Sequence, residues 1–184
     1  MDGVQADKEL TDDLLIERAR RGDRESQAKL LRLMQDRWFR FAYTQLGDED
    51  KSRDAVQETA VRVLQKLPTF DRRSTFSTWS IGICLNVCRE TRRRRVGRGL
   101  EDISEPAAAH DENPEVERAE SLGRMKSVLA DLPERQREAL VLRFFEGRSV
   151  EETASLMQCA AGTVKATVHQ ALRAMRQRLG LNAE

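Results

Sequence analysis

The chain has 184 residues, 39% of them hydrophobic and 34% charged, with a formal net charge of +1. That balance suits one or two small helical domains with thin cores and large solvated faces. No run of about 18 apolar residues occurs, so no membrane span is predicted; the polar stretch Met1 to Lys8 lacks the apolar core of a signal peptide, and a cytoplasmic protein is expected.

The small net charge hides an uneven distribution. Residues 1–98 carry 21 Lys and Arg against 16 Asp and Glu, residues 99–132 carry 3 against 9, and residues 133–184 carry 8 against 6. Two basic ends flank an acidic middle, and each basic end is a candidate polyanion-binding surface. The three cysteines make no disulfide framework. Cys84 and Cys88 share a helix face, but the only histidines, His110 and His169, fall in other segments. These cysteines therefore read as small core residues, and neither a metal nor a cofactor is expected.

In chain order, the periodicity predicts a helix from about Asp12 to Arg21, ended by Gly22. Asp23 caps a long second helix with Leu31, Met34, Trp38 and Phe41 on one stripe, stopping at Gly47. A third runs from about Lys51 to Leu67 with Val56, Ala60, Val63, Leu64 and Leu67 inward, and Pro68 ends it. After a turn to Arg73, Ser74 or Thr75 caps a fourth. It carries Phe76, Trp79, Ile83 and Val87 on one face, Ile81, Cys84, Leu85 and Cys88 on another, and ends in Arg92–Arg95.

Residues 96–113 lose periodicity and read as a flexible acidic linker. Asn113 and Pro114 open a helix from Glu115 to about Ala130. Pro133 opens another, with Leu140, Val141, Phe144 and Phe145 at helical spacing, stopped by Gly147. Ser149 and Glu152 form a capping box for a helix carrying Val150, Ala154, Leu156 and Met157. A turn of small residues, Cys159 to Gly162, precedes a last helix from about Thr163 to Gly180. No strand pattern occurs. The expectation is all-α: two small helical domains, 1–95 and 114–184, joined by the linker, the C-terminal one a helix-turn-helix.

Three features carry function. On the last helix, Lys165, His169 and Arg173 fall at four-residue spacing with Thr163 and Ala166 beside them, a face suited to base edges and phosphates in a major groove. Between Arg72 and Arg95, the aromatics Phe76 and Trp79 stand beside Ser74 and Thr75, followed by Asn86, Arg89, Arg92 and Arg93. Stacking surfaces, hydrogen-bonding groups and a cationic track are the ingredients of single-strand capture, although the same aromatics at helical spacing also suit a core. On the third helix, Asp54, Gln57 and Glu58 share one face with Arg62 a turn later, suited to a protein partner or simply to solvent. No phosphate-cradling loop, metal motif or histidine beside a nucleophile supports an enzyme.

Taken together these segments resemble the bacterial alternative sigma factors of the extracytoplasmic-function (ECF) type, over nearly the whole chain. The resemblance rests on Leu15–Glu25, Asp54–Thr59, Ser74–Trp79 with Ile83 and Asn86 through the arginine run, and Leu132–Glu138 with Gly162–Lys165. It implies that Asp54, Gln57 and Glu58 contact core RNA polymerase. Ser74, Thr75, Phe76, Trp79, Asn86, Arg89, Arg92 and Arg93 would open and read the minus-ten element, with the last three arginines near the duplex backbone. Thr163, Lys165, Ala166, His169 and Arg173 would read the minus-thirty-five element. It also implies an anti-sigma partner and an acidic linker passing near the path of nascent RNA.

The chain departs from the family at Ala160, where Ser or Pro is common, and at Thr167 and Gln170, where Arg is common. A weaker minus-thirty-five contact with a shallower salt dependence is expected. The alternatives are a stand-alone helix-turn-helix regulator of duplex DNA, which needs neither the Asp54 face nor the Ser74–Arg95 segment, and a pure interaction module that decoys a sigma inhibitor.

Overall fold

The structure, a computed structural model, describes residues 13–96, 123–125 and 127–180. Two compact units, Met1–Leu100 and Glu101–Glu184, make up the chain. Every regular element among the described residues is helical. The expected linker lies, past Val96, outside the described residues, as do the Asn113–Pro114 start and the first turns of the helix after it.

The first unit comprises α1 (Asp13–Arg20), α2 (Arg24–Leu46), α3 (Glu49–Lys66), a 3-10 turn (Leu67–Thr69) and α4 (Phe76–Val96). At the α1–α2 joint, Gly22 takes φ 92°. Its N–H donates to Ala19 O and that of Asp23 to Arg18 O, both at 3.1 Å. This left-handed stop needs glycine because a Cβ would crowd the following carbonyl. Asp23 then caps α2, accepting from the Ser26 N–H at 3.0 Å. Hydrogen bonds from Ser26 hold its carboxyl below the usual aspartate range.

In this unit the start of α3 differs from the sequence expectation, whereas the cap of α4 is one of the two residues expected. α3 opens at Glu49, not near Lys51, because Asp48 is the cap and accepts from the Lys51 N–H at 3.0 Å. The acids Glu49 and Asp50 in its first turn complement the helix dipole. For α4 the cap is Thr75, whose Oγ1 accepts from the Thr78 N–H at 3.1 Å.

α2, α3 and α4 pack on one another, and α1 lies on α2. Leu30, Met34, Trp38 and Phe41 of α2 are buried, as are Val56, Val63 and Leu67, with Leu30 taking the inward place expected of Leu31, which is half-buried. α4 is buried on both of its apolar faces, with Phe76, Ile83 and Val87 on one and Ile81, Cys84, Leu85 and Cys88 on the other. Ala60 and Leu64 are only half-buried; Ala55 and Thr59 make the tighter contacts of α3, the Thr59 hydroxyl donating to Ala55 O at 2.6 Å. In the centre, Trp38 Nε1 donates to Ser80 Oγ at 3.2 Å, and that hydroxyl donates onward to Ser77 O at 3.2 Å.

The second unit comprises α5 (Glu134–Leu140), a π-helical turn (Val141–Phe145), α6 (Val150–Met157) and α7 (Ala161–Arg178). Residues 127–130 are also helical. α5 and α6 pack on α7, burying Leu129, Leu132, Ala139, Leu140, Leu142, Met157, Val164 and Ala171. Phe144 and Phe145, which share helical spacing with Leu140 and Val141, are each 60% exposed. The hydrogen-bond ladder widens there, with the Glu146 N–H donating to Val141 O at 2.9 Å, five residues back.

The Ser149–Glu152 capping box is present, Glu152 N–H donating to Ser149 Oγ at 3.0 Å and Ser149 N–H to Glu152 Oε2 at 2.8 Å. The turn after α6 also differs from expectation. Gln158, at φ 54°, supplies the left-handed stop, with the Cys159 N–H donating to Ala154 O at 3.0 Å. Gly162 therefore lies inside α7, which opens two residues before Thr163 with Ala160 at its cap position and no capping side chain.

Candidate polymerase and promoter surfaces

Asp54, Gln57 and Glu58 all stand exposed along α3, at the spacing of one helix face, with Val61 exposed beside them. A groove of about 400 Å³ runs alongside, lined by Gln35, Asp36, Phe39, Arg53, Val56 and Gln57. At the far end of the row, Arg62 forms a fork. Its Nη1 and Nη2 each lie 2.7 Å from a Glu90 carboxylate oxygen of α4, and its Nε lies 2.6 Å from Glu58 Oε1. Both carboxylates stabilise the guanidinium further, Glu90 foremost. Arg62 in turn holds the Glu90 carboxyl below the usual glutamate range, with Arg94 and Arg93 adding to it.

The second surface is the turn before α4 and one face of that helix. Phe76 is 1% exposed. It belongs to an aromatic cluster with Phe70 (ring centroids 6.0 Å) and Trp79 (5.7 Å), while Phe70 and Trp79 lie 4.8 Å apart. The expectation of a base stacked on Phe76 is thus corrected, because its ring is buried in the core. Trp79 is half-buried, and helical periodicity sets it on the same face as Asn86, Arg89 and Arg93. Arg89 Nη1 donates to Asn86 Oδ1 at 3.3 Å. Arg92 lies about a third of a turn away from that face. Ser74 is half-buried and Thr75 exposed, with the Thr75 hydroxyl engaged in the cap and 2.9 Å from Thr78 Oγ1.

The third surface is α7. Thr163, Lys165, Ala166, His169 and Arg173 are all exposed. At about 100° per residue the arc they occupy is centred opposite buried Val164 and Ala171. Arg176 extends the same arc. Behind it, Arg135 Nη1 donates to Met157 O at 2.9 Å, tying α5 to the end of α6.

Residues 30–98 match the family described as sigma-70 region 2, and residues 122–175 the family described as sigma-70 region 4. The chain is 30% identical to the RNA polymerase sigma-H factor of Pseudomonas aeruginosa over 179 residues, covering 89% of this chain and 91% of that protein. It is 31% identical to the ECF RNA polymerase sigma factor SigC of Mycobacterium tuberculosis over 180 residues, 95% of this chain and 94% of the relative. The chain belongs to the ECF-type sigma-70 family. A solved structure of the Bartonella quintana sigma factor RpoE, in complex with the anti-sigma factor NepR, matches at a TM-score of 0.69 and 26% identity, over 83% of this chain and 96% of that one.

This protein is therefore an alternative sigma factor, a subunit that binds core RNA polymerase and promoter DNA and directs transcription initiation. In this sigma factor the region 2 match begins within α2, so α1 lies outside it. The region 4 match holds α5, α6 and most of α7. No helix among the described residues is long and apolar enough to cross a membrane.

Sequence reasoning missed two things at these surfaces. Phe70 sits in a turn rather than on a periodic face, so nothing in the spacing marks it as buried. The Arg62–Glu90 pair joins two helices, and no local pattern records it. Arg176, by contrast, follows Arg173 by three residues on the same helical arc and was available to read.

Proposed function

We propose that the two units divide the work of initiation. Asp54, Gln57 and Glu58 on α3 dock the first unit on core polymerase. Ser74, Thr75, Trp79 and Asn86 receive bases of the melted minus-ten strand, while Arg89, Arg92 and Arg93 hold its phosphates and those of the adjoining duplex. Phe76 supports Trp79 from below. Thr163, Lys165, Ala166, His169 and Arg173 lie on the minus-thirty-five duplex. The chemistry of chain synthesis stays with the polymerase, in the cytoplasm, and this subunit contributes binding alone. Because bases are captured only once unstacked, binding favours the melted state and offsets the cost of opening, about a few kcal/mol per step.

The observation that carries this reading is the α4 face, where a half-exposed indole, an amide and arginines follow one another below a hydroxyl-bearing turn. A regulator of intact duplex has no use for it. As the Bartonella relative was solved with an anti-sigma factor, we include a protein inhibitor of that kind, covering the α3 row.

The test is in vitro transcription with bacterial core polymerase on a promoter library, as duplexes and as pre-melted bubbles. Wild type directs initiation at a defined subset. Asp54→Ala with Glu58→Ala loses core binding on all templates. Asn86→Ala loses duplex promoters more than bubbles, and Lys165→Ala with Arg173→Ala loses only promoters that depend on the upstream element. Retardation of duplex DNA by the protein alone, with no gain from core polymerase, refutes the reading.

A further inference from the structure

The turn from Phe70 to Thr75 is held from outside region 2. Arg72, at its middle, takes φ 61°, a left-handed conformation that disfavours any side chain with a Cβ. Its guanidinium reaches α1. Nη2 donates to Asp13 O at 3.2 Å and to Glu17 Oε2 at 3.2 Å, and Nη1 lies 3.8 Å from Asp13 Oδ1. From the other side, Arg20 Nη2 donates to Pro68 O at 3.4 Å. Glu17 also accepts from Arg20 Nη1 at 3.4 Å and Arg21 Nε at 3.2 Å, so its carboxylate is the hub of the contact. Phe70, 2% exposed, anchors one end of the turn in the aromatic cluster, and Thr75 anchors the other as the α4 cap. Ser74 sits between the strapped residue and the cap.

A non-glycine residue persists in this backbone region only where its surroundings over-determine it, and such residues concentrate at binding sites. Here the surroundings are supplied by α1, more than fifty positions earlier in the chain. We propose that α1, acting through Glu17 and Arg72, is a positioning element for the base-reading turn, and that this strap sets base preference at the minus-ten element. The inference rests on the assignment of Ser74–Trp79 as the reading segment. Its physical basis is the steep dependence of a hydrogen bond on distance and angle. A turn that drifts by a fraction of an ångström keeps its stacking and charge contacts but loses the geometry that separates one base from another.

The experiment uses the full chain with core polymerase. Initiation rates are compared on a consensus promoter and on promoters with each minus-ten base replaced singly. Glu17→Ala removes the hub, and Arg72→Gly removes the side chain while suiting the left-handed backbone. Each is expected to lower discrimination between preferred and replaced bases by about three- to tenfold, with core binding within about twofold of wild type. The double variant is expected to match either single one, since both cut the same link.

Ser74→Ala and Asn86→Ala serve as reading controls. An equal loss of rate on every promoter, with discrimination kept, overturns the strap, because that is what plain destabilisation does. If the reading controls flatten base preference while Glu17→Ala and Arg72→Gly do not, the strap alone is refuted. If none of the four alters preference, the reading segment is misassigned and the strap falls with it.

Discussion

Replacing Arg62 with Met tests the link between the exposed row of α3 and α4. Methionine keeps an unbranched stem to fill the same space and deletes the guanidinium alone. Three hydrogen bonds of 2.6 to 2.7 Å are lost, two of them as a bidentate pair with Glu90. Hydrogen bonds to charged groups contribute about 1.5–3 kcal/mol in protected sites, and exposed ion pairs about 0–1 kcal/mol. Arg62 is 25% exposed, but Glu90 and Glu58 are 40% and 49% exposed. Solvent screening therefore brings the expected loss to about 1.5 kcal/mol for the group as a whole. For a unit of this size that lowers Tm by about 6–12 °C.

The assay is tryptophan fluorescence during thermal or urea unfolding. The chain has two tryptophans, Trp38 and Trp79, so the signal reports the first unit alone. The pH dependence gives a second check. Glu90 has a depressed pKa in the fold, so its stabilisation is complete above the ordinary glutamate value and is lost as pH falls through the lowered one. Arg62 stays charged throughout. The gap between wild type and variant should be full at about pH 7 and narrow toward about pH 3. An unchanged midpoint at neutral pH, or a gap just as wide in acid, refutes the reasoning.

Two further predictions concern α7. Ala160 already has the extended backbone of a cap residue, φ −72° and ψ 150°, without a capping side chain. Ala160→Ser should stabilise the second unit by about 1 kcal/mol, read as slower hydrogen exchange at the first α7 amides; unchanged exchange argues against it. Thr167→Arg with Gln170→Arg should tighten upstream promoter binding and steepen its log–log salt dependence by about 1.8, measured by a titration of holoenzyme across salt concentrations. No change in either quantity removes these positions from the phosphate contacts.

The helical elements and their inward stripes were readable because each is a local pattern. The apolar residues of α2 and α4 recur at helical spacing, and Asp23, Ser149 and Glu152 are caps written in two or three adjacent positions. What escaped depends on geometry that spacing does not encode. Phe144 and Phe145 share helical spacing with buried Leu140 and Val141, yet both belong to a π-helical turn and stand exposed. Gln158 adopts a backbone conformation more often given to glycine, so Gly162 drew the turn two residues too late. Phe76 illustrates a further limit. Its company of Ser, Thr and Arg suits a base-binding site, and only the position of Phe70 decides that the ring belongs to the core.

The hydroxyl chain under Trp38 also constrains the order in which this core can change over generations. Ser80 accepts from the indole and donates to Ser77 O, and both Trp38 and Ser80 are fully buried. If Trp38 becomes Phe first, the Ser80 hydroxyl keeps its donor bond and the step costs mainly shape. If Ser80 becomes Ala first, an indole N–H is stranded in a dry interior at about 1–3 kcal/mol, a large share of a marginal fold. Lineages can therefore lose the serine readily only after the tryptophan, and descendants with Ser80 but no Trp38 should outnumber those with the reverse.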